Sequence, residues 1–340
     1  MNLHRLGTTL VAAAAAVSLG ACGGGDSGGV TPTGPHYHYV FNKVLVPISQ
    51  AQVSDYGLDL DGDGAVDNAV GKALANIVTL LNFDIQASVD KAVLAGRLIG
   101  LADLQTPDFA SSAGAGIRVF LGSNPQPAAC SGATDTVMCT TAKPAVCSGC
   151  GKHLTGGSFS IASTSPEDPA ITGKISGGTF TGGPGTMSLL ISLGDADPIR
   201  FDLVNARVKA SGISEASIGT AAGASITDGV VLAGVITEES VDNTVLPGIK
   251  AQLDSTLAKG GCQTAGPPTC GCSDTDDGKT AKSILSVLDN APQDCKISPE
   301  EVKAKAPLLL KPDLTVDGKP AYSAGIKVAL TKATFTVPGQ

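Results

Sequence analysis

Apolar positions recur with helical spacing in the segment that follows an aspartate-rich stretch. The apolar residues of Asn68 to Leu81 lie three or four positions apart and predict one amphipathic helix. They are Val70, Leu74, Ile77, Val78 and Leu81. Asp84 then occupies an N-cap position, and the pattern predicts a second helix from about Ile85 to Leu94 that stops at Gly96.

Runs rich in β-branched and aromatic residues, separated by glycine turns, predict antiparallel strands over much of the remaining chain. The predicted strands are His36–Phe41, Val44–Ile48, Arg97–Leu104, Gly116–Leu121, Ser158–Ser163, Ala170–Phe180, Met187–Leu193, Ile199–Ala210 and Gly325–Val337. The alternation within Ile199–Ala210 is only approximate, which predicts a bulge near Asn205. The glycine-rich connections in this region are typical of a meander in which consecutive strands pair.

Helical signals return toward the C-terminus. Thr237 is the expected N-cap of a helical region over Glu238–Leu257, and Pro247 is expected to interrupt that region. A further helix is predicted over Lys279–Leu288.

Two interpretations fit the stretch before the last helix. Ser298, Pro299 and Glu301 match a capping box with proline at the first helical position. The same stretch, read from Asn290, is similar to the second half of an EF-hand loop, but Pro292 brings no ligand oxygen. We favour the capping box because calcium needs more oxygens than this loop supplies.

These elements together predict the α+β class, with an antiparallel β-rich middle, helices toward both ends and disulfide-stapled loops. The predicted organisation is a signal segment over 1–21, a tether over 22–35, an α+β unit over 36–125, a cysteine-rich loop and antiparallel region over 126–235, and a helical cysteine-rich region ending in a strand over 236–340. One domain over 36–340 is the alternative.

The N-terminus has the layout of an export signal. A short positive start is followed by an apolar, alanine-rich run from Leu6 to Leu19 and then by small residues before Cys22. The run is shorter than the roughly 20 apolar residues that span a bilayer. Leu19-Gly20-Ala21-Cys22 resembles the lipobox of bacterial lipoproteins. That resemblance implies cleavage before Cys22, acylation of its sulfur, and attachment to the bacterial cell envelope.

Two further features refine this location. Residues 23–35 are rich in glycine, serine and proline, which predicts a flexible tether. Gly23 is not the aspartate that retains many such lipoproteins in the inner membrane, so the outer membrane is favoured. The expected partner is therefore the lipid bilayer, bound through acylated Cys22.

Composition excludes some classes of partner. The chain carries 31 acidic and 23 basic residues, a net charge of −8, and such a chain repels nucleic acid and anionic lipid headgroups. Aromatic residues make up 4% and tryptophan is absent, which disfavours stacking on sugars or on single strands. We therefore expect no nucleic-acid partner.

The cysteine count agrees with export. Of the nine cysteines, Cys22 takes lipid, and the remaining eight form two sets of four: Cys130, Cys139, Cys147 and Cys150, then Cys262, Cys270, Cys272 and Cys295. An even number in an exported chain predicts up to four disulfides, with pairing inside each set the simplest arrangement and three connectivities open for each set. Cys147 and Cys150 with His153 also match part of a zinc or redox motif, but structural disulfides suit an oxidising compartment better.

Asp59-Leu60-Asp61-Gly62-Asp63-Gly64-Ala65-Val66-Asp67 places carboxylates at positions 1, 3, 5 and 9 of a loop with glycine at position 6. It resembles the calcium loops of EF-hands, dockerins and thrombospondin type 3 repeats. The resemblance implies calcium bound by Asp59, Asp61, Asp63 and Asp67. The chain departs from it at position 12, where Val70 replaces the bidentate acid and leaves coordination to water, Asn68 or Asp55. The alternative is an ion-free turn in which Asp67 caps the next helix.

Catalytic signatures are scarce. No GxSxG, HExxH or GxGxxG motif is present, and no pair of carboxylates is placed in a common cleft by the sequence. The pattern resembles functionally uncharacterised exported lipoproteins that carry one DxDGDG loop. We therefore expect a lipid-anchored, non-enzymatic protein with a structural or adhesive role, stabilised by calcium and disulfides. The alternatives are an exported hydrolase with a scattered site and a module that binds lipid or another small ligand.

Overall fold

A computed structural model describes residues 30–81, 84–129, 150–194, 196–264, 270–290 and 293–339. Its strands are β1 (His36–Leu45), β2 (Gly100–Gln105), β3 (Ser112–Gln126), β4 (Ser158–Ile161), β5 (Ala170–Ser176), β6 (Thr179–Ile191), β7 (Ile199–Ser211), β8 (Ser217–Ile218), β9 (Thr220–Ala222), β10 (Ser225–Thr227), β11 (Gly229–Thr237), β12 (Gln263–Thr264), β13 (Cys270–Gly271), β14 (Leu314–Val316) and β15 (Lys319–Lys332). The helices longer than one turn are α1 (Gln50–Asp55), α2 (Ala69–Leu81), α3 (Ile85–Leu94), α4 (Leu246–Lys259), α5 (Asp276–Leu288) and α6 (Pro299–Leu309).

Eight antiparallel strands form a closed barrel. Their order is β1-β2-β3-β5-β6-β7-β11-β15, so each barrel strand pairs with the next one along the chain, and β15 pairs back to β1. The closing register places Val44 opposite Val328 and Tyr39 opposite Lys332. The prediction of a β-rich, antiparallel meander is confirmed, and β1 and β15 extend it to a closed ring.

The helices interrupt this meander at two points instead of flanking it. Helices α1 to α3 connect β1 to β2, and α4 to α6 connect β11 to β15. The sheet therefore runs from residue 36 to residue 332. The expectation of a β-rich middle with helices toward both ends of the chain is confirmed only in part, because β1 and β15 lie outside the helices. The physical reason is the long-range pairing of β1 with β15, which local periodicity does not report.

Both helical connections leave the barrel at the same end. Strands alternate in direction around the ring, so the ends of β1 and β11 and the starts of β2 and β15 lie together. The β6–β7 turn lies at that end as well, since Ile191 pairs with Ile199 there. Residues 30–35 precede β1 and therefore lie at the opposite end, near the β2–β3 connection.

The last part of the predicted tether packs against the barrel. The Thr33 N–H donates to the Gly114 carbonyl at 3.3 Å, and the Thr106 N–H donates to the Pro35 carbonyl at 3.2 Å. A Cβ at Gly114 would lie 2.8 Å from the Thr31 carbonyl oxygen, so the missing side chain makes room for this segment. Residues 31–35 thus lie on the barrel, and residues 22–29 of the tether lie outside the described residues.

The barrel interior is packed with side chains. Tyr39, Phe180 and Leu203 are among the fully buried members of one hydrophobic cluster that spans the barrel strands. The predicted bulge is confirmed: Asn205 has a φ of 49°, and the buried positions change from Leu203 to Ala206 across it. The bulge keeps both halves of β7 facing the core although the alternation is broken.

Local helix signals are largely confirmed. Asp84 caps α3 through the Ala87 N–H, and Thr237 caps the helical segment Glu238–Ser240 through the Ser240 N–H. A π-helical turn, Val241–Val245, joins that segment to α4. Pro247 lies in the first turn of α4, where its missing N–H costs little because the hydrogen-bond register changes just before it.

Asn68 fastens α2 to the barrel. It is fully buried, and its Oδ1 accepts from the N–H groups of Gly71 and Gly325 at 2.9 and 3.0 Å. Its Nδ2 donates to the carbonyls of Val53 and Gly325, both at 3.2 Å. Asn68 therefore caps α2, in the role that the ion-free alternative gave to Asp67, and it joins α1, α2 and β15 in one network.

Asn68→Ala is expected to lower the free energy of unfolding by about 3 kcal/mol, because it leaves buried backbone groups of Gly325 and Val53 without partners. The measurement is chemical denaturation of the chain from Gly23 onward, which contains every described residue. Asn243→Ala, at an exposed position, is the matched control and should change stability by less than about 0.5 kcal/mol. Equal effects of the two substitutions would contradict the role of Asn68.

Candidate functional site

The aspartate-rich loop lies between α1 and α2 and is closed at its base by a bridge between Leu58 and Asp67. The Asp59 carboxylate accepts from the N–H groups of Gly62 at 2.6 Å and Gly64 at 3.0 Å. Both glycines have a φ of 88°, a left-handed conformation that side chains resist. The loop therefore curls around Asp59, the first residue of the predicted calcium motif.

Three of the four predicted calcium ligands come together. Carboxylate oxygens of Asp59, Asp61 and Asp67 lie within 4.8 Å of one another. Asp63 is not part of that group, and its carboxylate accepts from the Ala65 N–H at 2.7 Å. The fourth ligand of the resemblance thus remains a prediction.

Negative charge is concentrated at this point of the loop. Burial raises the pKa of the Asp67 carboxyl above its usual value, and the Leu60 N–H that donates to it at 2.8 Å opposes this rise. The charges of Asp61, Asp313 and Asp63 raise the same pKa further. A divalent cation would relieve this repulsion, and carboxylate oxygens are the ligands that calcium prefers.

Neither the Val70 nor the Asn68 side chain supplies the remaining coordination. Val70 is 8% exposed and stands in α2, and Asn68 uses its side chain on the backbone. Asp55 is exposed at the end of α1. The residues present fit a hard cation held by three carboxylates, with water and loop carbonyls completing its shell.

The second, degenerate loop serves as a helix cap. Ser298 and Glu301 form a complete capping box at the start of α6, with Pro299 at the first helical position. The Glu301 carboxylate also accepts from the Asn290 N–H at 2.6 Å. Burial opposes ionisation of Glu301, but the donors of Ser298 and Asn290 outweigh it and lower the pKa of this carboxyl. The capping-box interpretation is confirmed, and both oxygens of the Glu301 carboxylate accept hydrogen bonds, one from Asn290 and the other from Ser298.

The second cysteine set is paired within itself, as expected. Cys262 bonds Cys272, and Cys270 bonds Cys295. Cys150 is also disulfide-bonded, which excludes it as a zinc ligand or free redox thiol. The other three members of the first set, Cys130, Cys139 and Cys147, lie outside the described residues, as does Cys22.

His36 and His38 lie at the start of β1, where they pair with Gln105 and Asp103 of β2. β1 pairs with β2 on one side and β15 on the other, and both imidazoles lie beside the buried Asp103 carboxylate. His36 Nδ1 lies 2.9 Å and His38 Nε2 lies 3.6 Å from Asp103 Oδ1. The ligand atoms of the three residues are not all within 4.8 Å of one another, so they do not form a metal cluster.

An apolar cavity of about 170 Å³ lies between the helices and one end of the barrel. Helices α2, α4, α5 and α6 contribute its walls through apolar side chains such as Leu74, Ile249, Ile284 and Val302. Barrel residues near the β6–β7 turn and the end of β11, such as Phe201, line its base. The cavity thus lies at the barrel end opposite residues 30–35.

Among the residues that the structure describes, few polar side chains line the cavity, and they lie on α4 and α6. Gln252 is buried, with Nε2 donating to the Asp197 carbonyl at 2.6 Å. The Thr256 hydroxyl donates to the main-chain carbonyl of Gln252 at 2.9 Å. Lys305 on α6 is half-buried. This cavity was not predicted from the sequence. The available signal was a glutamine at helical spacing among apolar residues of α4, between Ile249 and Leu253.

Calcium is expected to raise the melting temperature of the chain from Gly23 onward by roughly 5 °C at a hundredfold excess over its dissociation constant. Asp61→Asn should abolish this shift. It should also raise the melting temperature in chelator, because it relieves repulsion within the acidic group. Thermal unfolding with calcium and with chelator measures both effects.

Asp63→Asn is the matched control, because it keeps the oxygen that accepts from Ala65 and lies outside the three-residue group. It should retain most of the calcium shift. Loss of the shift in Asp63→Asn would favour the four-carboxylate set that the resemblance implies. No shift in the unsubstituted protein would contradict the site.

Replacing Cys270 and Cys295 together by serine is expected to cost about 3 kcal/mol of stability, because their bond closes a loop across 25 residues. The Cys262–Cys272 bond spans 10 residues, so the corresponding double substitution should cost slightly less. Chemical denaturation under oxidising conditions compares the two. A cost below about 1 kcal/mol for the longer loop would contradict a stabilising role of the bond that joins the segments before and after α5.

None of the helices in the described ranges is long and apolar enough to cross a membrane. No protein-family model, curated protein sequence or solved structure matches the chain.

Proposed function

We propose that the protein is a lipid-anchored protein of the bacterial envelope that binds a small apolar molecule in the cavity between its helices and the barrel. The cavity is the observation that supports this proposal. Of the three functions that the sequence leaves open, binding of a small ligand is the one for which the chain offers a space of suitable size and lining.

An empty apolar cavity lowers the stability of the folded state. Native interiors contain few voids larger than a water molecule. Apolar cavities of about 150 Å³ stay dry and take up hydrocarbons of benzene size. A molecule of similar or slightly larger size would recover the lost contacts here.

The position of the cavity fits an anchored binding protein. The tether begins at the barrel end opposite the helices, so acylation at Cys22 would hold the cavity away from the membrane surface. Calcium at Asp59, Asp61 and Asp67 would stabilise the start of α2, one wall of the cavity. The disulfide between Cys270 and Cys295 ties the loops around α5 and α6, the opposite wall.

Fewer observations support the two other functions, an exported hydrolase and a structural or adhesive protein. Polar side chains at the cavity are Gln252, Thr256 and Lys305, and the described lining contains no carboxylate or histidine for acid–base catalysis. A structural or adhesive role requires no cavity at all. We infer outer-membrane attachment from the lipobox-like residues before Cys22 and from Gly23, which is not the aspartate that retains many such lipoproteins in the inner membrane.

The experiment is a titration with naphthalene, followed by its fluorescence; the chain contains no tryptophan, and the emission of its four tyrosines is subtracted with a ligand-free sample. The chain from Gly23 onward should bind it saturably. Ala306→Phe, on the α6 wall, should weaken binding at least tenfold by filling the cavity, with stability unchanged or increased.

Ala304→Phe is the matched control, since Ala304 is exposed on the same helix and does not line the cavity. It should bind naphthalene as the unsubstituted protein does. Absence of saturable binding, or equal binding by both variants, would overturn the proposed function and leave the structural role as the better account.

A further inference from the structure

Solvent reaches the cavity from the side of α5 and α6. Val287 lines the cavity on α5 although it is 43% exposed, and Lys305 and Ala306 on α6 are half-buried. The lining residues on the barrel side are closed off from solvent, with Phe201 4% and Ile236 0% exposed. The cavity therefore has a mouth at α5 and α6 and a closed base at the barrel.

Lys305 is the one charged residue among the described residues that line the cavity. The other lining residues are apolar apart from Gln252 and Thr256. A lysine can lay its aliphatic stem along an apolar surface while its ammonium stays in contact with water. A half-buried lysine at the mouth therefore presents its positive charge at the boundary between the cavity and solvent.

The Lys305 ammonium forms no hydrogen bond or ion pair with any residue that the structure describes. Glu301 lies one turn earlier on α6, at a spacing that favours ion pairs on a helix. The two oxygens of its carboxylate instead accept from the N–H groups of Asn290 and Ser298, at 2.6 and 2.8 Å. The charge of Lys305 is therefore free to pair with a molecule from outside the chain.

We propose that the ligand is a small amphiphile, with an apolar chain of about six to eight carbons and one carboxylate at its end. This inference rests on the proposed function and names the chemical class of its ligand. The apolar chain fills the cavity, and the carboxylate pairs with the Lys305 ammonium at the mouth. The carboxylate keeps part of its hydration there, which avoids the cost of burying an ion among apolar side chains.

One lysine matches a headgroup with one negative charge. A phosphate monoester carries about −1.5 to −2 charges at neutral pH, so Lys305 alone would leave part of that charge unpaired. The remaining charge would face a chain whose net charge is −8. A cationic headgroup would be repelled by the ammonium, and a neutral one would gain no charge pairing from it. The mouth therefore favours a monocarboxylate.

Three ligands with the same apolar chain test the proposal: octanoate, 1-octanol and octylammonium. Each is measured by displacement of naphthalene from the chain from Gly23 onward. Lys305→Met removes the ammonium and keeps most of the stem. It should weaken the binding of octanoate about tenfold, change that of 1-octanol by less than about twofold and strengthen that of octylammonium. A purely structural effect of the substitution would instead move all three affinities in the same direction.

Lys282→Met is the matched control. Lys282 is exposed on α5 and does not line the cavity, so this substitution makes the same change in net charge away from the mouth. All three affinities should stay within about twofold of those of the unsubstituted protein. A second measurement needs no substitution. Raising the salt concentration from about 0.01 to about 0.1 M should weaken the binding of octanoate and leave that of 1-octanol nearly unchanged.

The outcomes separate the two proposals. Unchanged octanoate affinity in Lys305→Met, or an equal loss for octanoate and 1-octanol, would overturn the role of Lys305. Failure of octanoate to displace bound naphthalene, or an equal loss of octanoate affinity in Lys282→Met, would overturn it as well. In each of these cases the binding of naphthalene would still support the proposed function. Failure of naphthalene itself to bind would overturn the proposed function.

Discussion

Pairing of the first strand with the last strand is the contact on which the rest of this structure depends. β1 and β15 lie almost 300 positions apart in the chain, and their register, with Val44 opposite Val328, converts a meander into a ring. A closed ring has no free edge along which another chain could add. Because the connections on either side of this seam both leave the barrel at one end, the helices that they carry must pack over that end.

This packing explains where the cavity lies. The inside of an eight-stranded barrel is just wide enough for side chains to fill, and residues such as Phe180 and Leu203 fill it here. Helices laid across the end of a barrel meet a rim, which is less regular than the face of a sheet. Space is left between the rim at Phe201 and the apolar faces of α2 and α4. The room for a ligand is therefore a consequence of how the helices cover the barrel.

The sequence predicts the parts of this fold that depend on neighbouring residues. The caps at Asp84 and Ser298, the bulge at Asn205 and the pairing within the second cysteine set all rest on spacing over a few to about thirty positions. Barrel closure depends on residues at opposite ends of the chain, and so does the role of Asn68, which hydrogen-bonds Gly325. Such contacts carry no local periodicity. The cavity is still more difficult to predict, because residues of five helices and three strands line it. Gln252 was its only local signal in the sequence.

The departure of the acidic loop from the calcium motif has its explanation in the same packing. Position 12 of that motif falls on Val70, one residue inside α2, and Val70 is buried against the cavity. A glutamate there would place its carboxylate among apolar side chains, at a cost of several kcal/mol unless it reached the ion. Asn68, two positions earlier, holds this turn of α2 against β15 and leaves it little freedom to rotate. The chain therefore gives position 12 to the cavity wall, and the acidic loop keeps only the carboxylates that precede α2.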